Sequence, residues 1–562
     1  MLTSSMRPQV TSLRQLLWAF ALVACVIRPT ASHATSNGAL RPTVTTTTAA
    51  HSSSTSSSSA RHWPSLKLHF TLKRSSMQLF GQPEFDVYAN PIVSHDGTRV
   101  YYDGYVDFVE ETARTRYFMV DGVAYATRTE LDETGRVVAR MTHCLPVSVL
   151  PPFEEIMTAL NDVTVASTAR RNGDKITCAA GHLFEVTFQG LEMEMVICAS
   201  GAAGLRAYAS DIDIEVTFLK YRVKVPVPKV TAGSMGECRR AVKATDMTPV
   251  AAALLTGAPV PDSEERGEGS SLPVTLSSTT CTCKSDPRPC LFIHGLGNDY
   301  AEDELQDSMP DYWGNLTEHA PCCTEFKYMV WNSVVVGWNN DTQQQIMCDL
   351  ATSVAKSSSS TKIADTIVVT HSMGGLALAG AIASGKCALA NSSSWVAMSA
   401  PMSGSMGSDF ALEACNGEHT YFMKVIGNLT SQCSMLNATK SLLYQGGEFA
   451  NKAMNDAYEA AQEAYRDNVF AAMCSNSYAG LFSRYLPVYW LLGSTLPHKT
   501  AENDGLVEFN SCTGGLPAEH FGDHYKDRFY RTQLNHADTT FYFGDGLFNS
   551  AQKPAKWFEC LL

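Results

Sequence analysis

The chain has 562 residues, of which 45% are hydrophobic and 18% are charged, and its formal net charge at pH 7 is −13. This composition is typical of a globular protein that can build sizeable cores, and the length predicts more than one domain. The negative charge argues against nucleic acid as a partner and against electrostatic attraction to anionic membrane surfaces.

The first residues have the features of a secretory signal. Two arginines precede the apolar run Leu16 to Ile27, and a small-x-small cleavage pattern ends at Ala34. The run is too short to span a bilayer, so we predict a cleaved signal peptide over residues 1–34 and no integral membrane span after its removal. An uncleaved signal anchor is an alternative, and Leu22 to Cys25 also resembles a bacterial lipoprotein box.

Two changes of composition follow the signal. Residues 35–62 are rich in Ser and Thr and are predicted to form a disordered, O-glycosylated segment. Residues 63–228 contain apolar and polar residues that alternate at the strand period, separated by turn signals such as Asp121-Gly122. The clearest runs are Val100 to Val109, Arg116 to Tyr125 and Ile212 to Phe218. We predict a separate, mainly antiparallel β domain, a curved sheet or half-barrel over a helix at Pro152 to Asn161.

The role of this β domain stays open at the level of sequence. It could bind a glycan, a lipid or another protein, or it could only shield the rest of the chain. Residues 229–285 are predicted to be a mixed linker, with Pro259 to Ser278 as its most disordered part.

The cysteine count indicates an oxidising compartment. There are 17 Cys, so removal of Cys25 with the signal leaves 16, and an even number in a secreted chain predicts disulfides. The connectivity does not follow from the sequence, and several buried free thiols are the alternative. Cys281 and Cys283 could fix the linker to the domain that follows, whereas the adjacent Cys322 and Cys323 cannot easily pair with each other.

Sequons add to this indication. Five asparagines stand in Asn-x-Ser/Thr patterns: Asn315, Asn340, Asn391, Asn428 and Asn437. They predict N-glycosylation. Signal, cysteines and sequons together predict a secreted, extracellular glycoprotein.

Two segments of the C-terminal half join a predicted buried strand to a motif that catalysis could use. The apolar run Pro289 to Ile293 is followed by His294-Gly295-Leu296-Gly297, and the β-branched run Ile363 to Thr370 is followed by His371-Ser372-Met373-Gly374. A serine on a sharp turn between a strand and a small-residue helix is typical of a nucleophile elbow. Thr370 stands where the usual Gly-x-Ser-x-Gly pattern has its first glycine. The simpler alternative is a glycine-rich turn with an incidental serine.

These segments resemble the lipase and esterase branch of the α/β-hydrolase superfamily, over roughly residues 286–562. The resemblance implies an α/β C-terminal domain with an inserted helical lid. It also implies an oxyanion hole formed by the backbone N–H groups of Leu296 and Met373, which would stabilise a negatively charged tetrahedral intermediate. His294 itself is interpreted as structural.

The lid would correspond to an insertion at about 402–487, after the predicted strand Trp395 to Pro401. Within it, apolar residues recur at helical spacing at Ala450, Met454, Ala457, Tyr458, Ala461, Ala464 and Tyr465. The simpler interpretation is an amphipathic helix that packs on the core. A lid with an apolar face would instead favour lipid-like or bulky esters.

In this family an acid and then a histidine follow the serine along the chain. We predict a strand at Val488 to Ser494 and, after it, Asp504 as the acid in an Asn-Asp-Gly-x-Val loop. We predict that Tyr525 to Leu534 is the last strand, so His536, which follows it, is the predicted base. The less favoured acids and bases are Glu502, Asp523, His520 and His524.

The order Ser372, Asp504, His536 predicts a serine hydrolase that cleaves carboxylic esters, lipid-like ones in particular, through an acyl-enzyme. Such chemistry requires no metal and no organic cofactor, and no Cys/His spacing indicates zinc. Two alternatives stay open. The same residues could transfer the acyl group to an alcohol, or the chain could be a non-catalytic secreted protein that keeps the fold and uses its β domain for adhesion or interaction.

Overall fold

The computed structural model describes residues 63–145, 149–178, 181–188, 193–230, 238–261, 273–415 and 435–562. The predicted signal peptide (1–34), the Ser/Thr-rich segment (35–62) and the sequon at Asn428 lie outside these ranges. In the parts that are described, no helix is both long enough and apolar enough to cross a bilayer.

An antiparallel sheet dominates the N-terminal half. The strands of this half are β1 Ser65–Leu72, β2 Glu84–Val93, β3 Arg99–Val109, β4 Ala113–Val120, β5 Val123–Leu131, β6 Val137–Cys144, β7 Thr164–Val165, β8 Thr168–Arg171, β9 Asp174–Ile176, β10 His182–Phe188, β11 Met193–Ala199, β12 Leu205–Tyr208, β13 Ile212–Leu219, β14 Thr245–Asp246 and β15 Pro273–Leu276. The large sheet has the order β6-β5-β4-β3-β2-β1-β13-β12-β11-β10-β7, with β14 beside β3. Every pair in it is antiparallel, so the predicted antiparallel character of this half is confirmed.

Two short helices cover part of this sheet, α1 Phe153–Ala159 and α2 Pro249–Thr256. The first agrees with the predicted helix. The second begins after Thr248, whose hydroxyl accepts a hydrogen bond from the backbone N–H of Ala251, and it ends at Gly257 in the left-handed conformation. Leu254 and Leu255 of α2 are buried in the same apolar cluster as β10 and β11.

Part of the predicted linker therefore packs against the antiparallel sheet. β15 forms a parallel pair with β8, and β8 pairs with β9, in a separate three-stranded sheet. The prediction of disorder from Pro259 to Ser278 is wrong for β15, because Val274 and Leu276 bury their side chains beneath β11.

A six-stranded parallel sheet organises the C-terminal half. The strands of this half are β16 Arg288–Ile293, β17 Cys323–Met329, β18 Lys362–Ile363, β19 Ile367–His371, β20 Ala388–Leu389, β21 Ser394–Met398, β22 Val469–Ser475 and β23 Phe529–Thr532. The sheet order is β17-β16-β19-β21-β22-β23, and β18 pairs with β20 separately. Strands β19 and β21 are buried along their whole length, as expected for parallel strands covered on both faces.

Helices pack on both faces of this sheet and connect its strands. They are α3 Pro310–Trp313, α4 Asp341–Ser353, α5 Met373–Ala383, α6 Met406–Cys415, α7 Asn437–Ser441, α8 Lys452–Asn468, α9 Leu486–Thr495, α10 Phe509–Thr513 and α11 Pro554–Leu561. The small residues of α5 let α8 approach it closely. Tyr458 and Tyr465 of α8 are completely buried, with their rings against Trp338 and Trp395.

Two sequence-based expectations change here. The predicted strand Val488 to Ser494 is wrong: these residues lie in helix α9, which begins with Pro487 in its first turn. A short apolar run does not distinguish a strand from a helix. The strand before the acid loop is instead β22.

Within the predicted insertion 402–487, helix α8 and strand β22 belong to the core, which agrees with the simpler interpretation of the amphipathic helix.

Seven disulfides join cysteines of the described residues. They are Cys144–Cys238, Cys178–Cys198, Cys281–Cys560, Cys283–Cys322, Cys290–Cys323, Cys348–Cys387 and Cys474–Cys512. The adjacent Cys322 and Cys323 pair with different partners, as predicted. Cys281 and Cys283 both connect the chain before β16 to the parallel-sheet half. Links over such long stretches restrict the unfolded chain and so stabilise the folded one.

A buried polar contact joins the two halves. Arg74, which follows β1, forms an ion pair with Glu559 of α11, and its Nη2 lies 3.3 Å from Nδ1 of His319. Ser76 donates a 2.7 Å hydrogen bond to the carboxylate of Asp545. Burial opposes ionisation of Glu559, yet its hydrogen bonds with His319 and Arg74 lower its pKa to about 2. The charged pair is therefore retained well below neutral pH.

Candidate active site

Ser372 stands on a strained turn between β19 and α5. Its φ of 54° and ψ of −133° lie in a region that residues other than glycine rarely adopt. A Cβ atom on Gly374 would lie 2.5 Å from the carbonyl oxygen of His294 and 2.6 Å from that of Ile293. Because both contacts are backbone atoms, only glycine allows α5 to start this close to the end of β16.

Thr370 explains how the turn forms without the usual first glycine. Its side chain is fully buried, and its Oγ1 accepts a 2.9 Å hydrogen bond from Nε1 of Trp395. A Cβ atom on Gly375 would lie 3.1 Å from Thr370 Oγ1. The bulk at Thr370 is therefore accommodated by the missing side chain at Gly375.

A continuous set of hydrogen bonds joins the predicted serine, histidine and acid. Ser372 Oγ lies 2.9 Å from His536 Nε2, and His536 Nδ1 lies 2.7 Å from Asp504 Oδ2. All three residues are buried. Water is thus largely excluded from the acid and the imidazole, which strengthens the interaction between them.

The carboxylate of Asp504 is held in one orientation. Its Oδ1 accepts hydrogen bonds from the backbone N–H groups of Leu506, at 3.0 Å, and Val507, at 2.7 Å. The backbone N–H of His536 donates a 2.8 Å hydrogen bond to the carbonyl oxygen of Asp504. One carboxylate oxygen is therefore used by the loop, and the other faces the imidazole.

The less favoured candidates lie elsewhere. Glu502, Asp523 and His520 are exposed on the surface. His524 is half-buried, and its Nδ1 accepts a hydrogen bond from the backbone N–H of Lys526. The structure brings none of these four into hydrogen-bond distance of Ser372 or His536.

The loop after β16 approaches the serine closely. A Cβ atom on Gly295 would lie 2.5 Å from Ser372 Cβ and 3.0 Å from its Oγ. The next residue is Leu296, and Met373 is the first residue of α5. Neither of these two backbone N–H groups donates a hydrogen bond to another described residue. Both donors therefore remain free next to the serine.

A second buried histidine, His371, links the loop of Gly295 to the loop of His536, although no motif in the sequence indicated a role for it. The backbone N–H of Gly295 donates to the hydroxyl of Tyr312, at 2.8 Å, and this hydroxyl lies 2.6 Å from His371 Nδ1. His371 Nε2 lies 3.1 Å from both the carbonyl oxygen of His536 and Oγ1 of Thr539. Burial, together with the nearby His536, lowers the pKa of His371 well below its usual value. A neutral His371 can thus accept from Tyr312 and donate to the loop of the base.

His294 has a structural environment, as the sequence suggested. It is fully buried, its Nδ1 lies 2.8 Å from the carbonyl oxygen of Gly295, and its Nε2 accepts a 3.2 Å hydrogen bond from the backbone N–H of Trp331. Burial lowers its pKa to about 4. The neutral ring fixes the turn that carries Gly295.

Asp538 connects the loop of the base to the chain after β22. Its carboxylate accepts hydrogen bonds from the N–H of Leu481 at 2.7 Å, the hydroxyl of Ser483 at 3.0 Å and Nδ2 of Asn535 at 2.6 Å. Burial raises its pKa to about 7. No sequence pattern indicated this role, because Asp538 follows His536 as an ordinary polar loop residue.

Within the described ranges, no group of three or more His, Cys, Asp or Glu side chains is arranged to hold a metal ion. The polar side chains next to Ser372 are instead those of an acid and two imidazoles.

The chain has some likeness to solved structures of lipases and esterases. The Staphylococcus hyicus lipase matches with 12% identity and a TM-score of 0.29, over 49% of this chain and 95% of that one. Lipase 1 from Pelosinus fermentans matches with 12% identity and a TM-score of 0.26, over 49% and 97%. A metagenomic carboxyl esterase matches with 16% identity and a TM-score of 0.25, over 54% and 80%.

No protein-family model and no curated protein matches the sequence. At TM-scores this low, the likeness to lipases and esterases carries no weight for the activity of this chain. The case for a function therefore depends on the geometry around Ser372.

Proposed function

We propose that this protein is a secreted serine hydrolase of carboxylic esters, with an α/β-hydrolase domain over roughly residues 286–562. The observation that carries the proposal is the hydrogen-bonded series Asp504, His536 and Ser372, with the serine on a strained turn at the end of a central parallel strand. This arrangement supplies a nucleophile, a general base within reach of it and a group that orients the base.

In the first half of the proposed reaction, Ser372 Oγ attacks the carbonyl carbon of the ester. Its proton moves to Nε2 of His536, and Asp504 stabilises the resulting imidazolium through Nδ1–H. The N–H groups of Leu296 and Met373 bind the negative oxygen of the tetrahedral intermediate. The intermediate collapses, the C–O bond to the alcohol breaks, and His536 returns the proton to the departing alcohol.

In the second half, water replaces the alcohol. His536 takes a proton from the water, the hydroxyl oxygen attacks the acyl carbon, and a second tetrahedral intermediate forms. Its collapse breaks the bond to Ser372 Oγ, which regains the proton from His536 and releases the carboxylic acid. The net reaction is ester plus water giving alcohol plus acid, without a cofactor.

The secreted location is supported by independent features. Seven disulfides are present among the described residues, and such a number is typical of an oxidising compartment. The four sequon asparagines within the described ranges are all exposed, so an oligosaccharide could be attached to each; they are Asn315, Asn340, Asn391 and Asn437. Removal of N-glycans from protein secreted by eukaryotic cells is expected to lower its mass, and an unchanged mass would contradict the glycosylation.

A fluorophosphonate probe tests the hydrolase proposal directly. We expect the secreted wild type to be labelled at Ser372 and the Ser372→Ala variant to remain unlabelled. Ser399→Ala is the matched control, because Ser399 is also a buried serine with positive φ, 47°, at the end of the neighbouring strand β21. This control is expected to label like the wild type.

The two ways to fail are distinct. A folded wild type that is not labelled would refute the serine hydrolase, and labelling that survives Ser372→Ala would assign the nucleophile to another residue.

Substrate class is tested with p-nitrophenyl esters of increasing acyl length. A sharp preference for acetate would refute the lipid-like substrate while leaving the hydrolase intact.

A further inference from the structure

A large apolar cavity lies between the antiparallel sheet and the parallel-sheet half. Its volume is about 1040 Å³, at the upper end of the range for small-molecule sites. Its walls come from strands β1 to β5, from helix α1 and from two segments of the parallel-sheet half, 480–484 and 541–549. Most of the lining is apolar or aromatic, with residues such as Val87, Phe108 and Ile156. A cavity with mainly apolar walls favours an apolar occupant.

One cation in this lining has no carboxylate partner among the described residues. Arg484 is half-buried, and its guanidinium lies 5.1 to 5.9 Å from the ring centres of Tyr485, Tyr542 and Phe543. Its Nη2 donates a 3.3 Å hydrogen bond to the hydroxyl of Tyr542, and its Nε is buried without a hydrogen-bond partner in the described parts of the chain. A buried N–H of a guanidinium that has no acceptor is unfavourable, and an anion bound to the group would supply one.

Three of the four acidic groups on the same walls are hydrogen-bonded to neighbouring side chains. Glu110 accepts a 2.9 Å hydrogen bond from Arg128, Asp545 accepts one from Ser76, and Glu318 accepts one from Ser75 at 2.6 Å. The fourth, Glu154 of α1, is exposed to solvent. The other lysine or arginine on the walls, Lys243, is exposed. Arg484 is therefore the lysine or arginine of these walls that is partly withdrawn from solvent and carries a buried donor without an acceptor among the described residues.

We propose that this cavity binds a long-chain fatty acid, with its carboxylate on Arg484 and its hydrocarbon tail among the apolar residues of the β sheet. A chain of about 16 carbons occupies roughly 500 Å³ if each carbon takes the ~30 Å³ that a water molecule occupies in the liquid. The cavity is large enough for one such chain and has room for a second. The rings of Tyr485, Tyr542 and Phe543, with centres 5.1 to 5.9 Å from the guanidinium, hold it in place by cation–π contacts.

The cavity wall is physically connected to the candidate active site. Asp538, two residues after His536, binds the N–H of Leu481 and the hydroxyl of Ser483, both in the 480–484 segment. Helix α9, which follows this segment directly, places the ring of Tyr489 6.3 Å from that of His536. A fatty acid is also the acid that the proposed ester hydrolysis releases, so the cavity would hold the reaction product. That last link rests on the proposed function, whereas fatty acid binding does not.

Binding is measured on the full secreted chain carrying Ser372→Ala, so that catalysis plays no part. The probe is cis-parinaric acid, whose fluorescence rises in apolar sites, and palmitate and 1-hexadecanol are the competitors. We expect palmitate to displace the probe. Arg484→Gln is expected to weaken palmitate binding about tenfold or more, because a charge-assisted hydrogen bond is lost. It is expected to change 1-hexadecanol binding only about twofold, since the alcohol has no charge to lose.

Two matched controls accompany these variants. Arg528→Gln makes the same change at an arginine that stacks on Phe470 and Phe529 away from the cavity, and it is expected to leave binding unchanged. Val87→Trp fills the cavity and is expected to weaken both competitors, whereas Val227→Trp, at a valine with 70% exposure, is expected to weaken neither. Circular dichroism confirms that each variant is folded.

Three results would overturn the proposal: palmitate that does not displace the probe, a folded Arg484→Gln variant with unchanged palmitate affinity, or loss of binding when the wild-type serine is phosphonylated. The last result would place the fatty acid at Ser372 rather than in the cavity. If the fluorophosphonate fails to label the protein but palmitate binds through Arg484, the hydrolase proposal fails and the fatty acid site stands.

Discussion

Replacement of Asp504 by asparagine tests the acid while it keeps the shape of the side chain. In the native protein, Oδ1 accepts from the N–H groups of Leu506 and Val507, and Oδ2 faces His536 Nδ1 at 2.7 Å. An amide at this position must keep its oxygen toward the two backbone donors. Its NH₂ group then faces His536, so Nδ1 becomes an acceptor and the ring proton moves to Nε2. In this tautomer the imidazole cannot take the proton of Ser372.

The expected loss is therefore large in rate and small in stability. Asp504→Asn removes the tautomer that acts as base and the charge that stabilises the imidazolium. We expect kcat to fall by about 10⁴-fold, which corresponds to about 5.5 kcal/mol in the activation free energy. The free energy of unfolding is expected to change by less than about 1 kcal/mol, because both backbone hydrogen bonds remain. Hydrolysis of p-nitrophenyl butyrate and urea denaturation measure the two quantities.

Glu502→Gln and Asp523→Asn are the controls, since both change an exposed carboxylate near the same region. Each is expected to keep the wild-type rate within about twofold. If Asp504→Asn kept more than a tenth of the activity, or if one of the controls lost it, the assignment of the acid would be wrong.

Three further predictions concern the parts that hold the site in place. Gly374→Ala sets a Cβ 2.5 Å from the carbonyl oxygen of His294, so we expect a loss of about 1–3 kcal/mol in the free energy of unfolding in urea, with loss of fluorophosphonate labelling. Asp538→Ala leaves three buried donors without an acceptor and is expected to cost about 3 kcal/mol or more by the same measurement. The pKa of Glu559 falls from 4.5 to about 2 on folding, so the unfolded chain binds more protons in this range. The free energy of unfolding is therefore expected to be highest above about pH 5 and to fall by roughly 3 kcal/mol as the pH drops to 2, with a shallower fall in Glu559→Gln.

Each of these has a contradicting result. A Gly374→Ala variant that labels and unfolds like the wild type would show that the turn tolerates a side chain. An Asp538→Ala variant of unchanged stability would show that water satisfies the three donors. If wild type and Glu559→Gln lost stability in parallel between pH 5 and pH 2, other carboxylates would account for the acid sensitivity.

The local motifs of the candidate site were readable from the sequence because they depend on neighbouring residues. The turn at Ser372 needs a small residue two positions later, and the loop at Asp504 needs the following N–H groups to face its carboxylate. Ser372, Asp504 and His536, selected on motif and chain order, are also the three residues that the structure brings into hydrogen-bond distance. Their catalytic role stays a prediction until the variants are measured.

The antiparallel half was predictable for the same kind of reason, since alternation at the strand period and turn residues are local. The run Val488 to Ser494 was not predictable, because a short, mainly apolar run has the same appearance in a strand and in a buried helix. The packing of α2 and β15 on the β sheet was also not predictable, because the strands that bury them, such as β11, lie far away in the chain.

What the sequence by itself determined is thus the chemistry of short segments: the serine turn, the acid loop and the alternation of the strands. Only the tertiary structure decided which distant residues meet. It paired Cys281 with Cys560, joined Arg74 to Glu559, let Gly375 compensate for Thr370, and formed an apolar cavity with Arg484 on its wall. The physical reason is that these features depend on side chains from separate elements, and their distances are set by how the two sheets pack rather than by spacing along the chain.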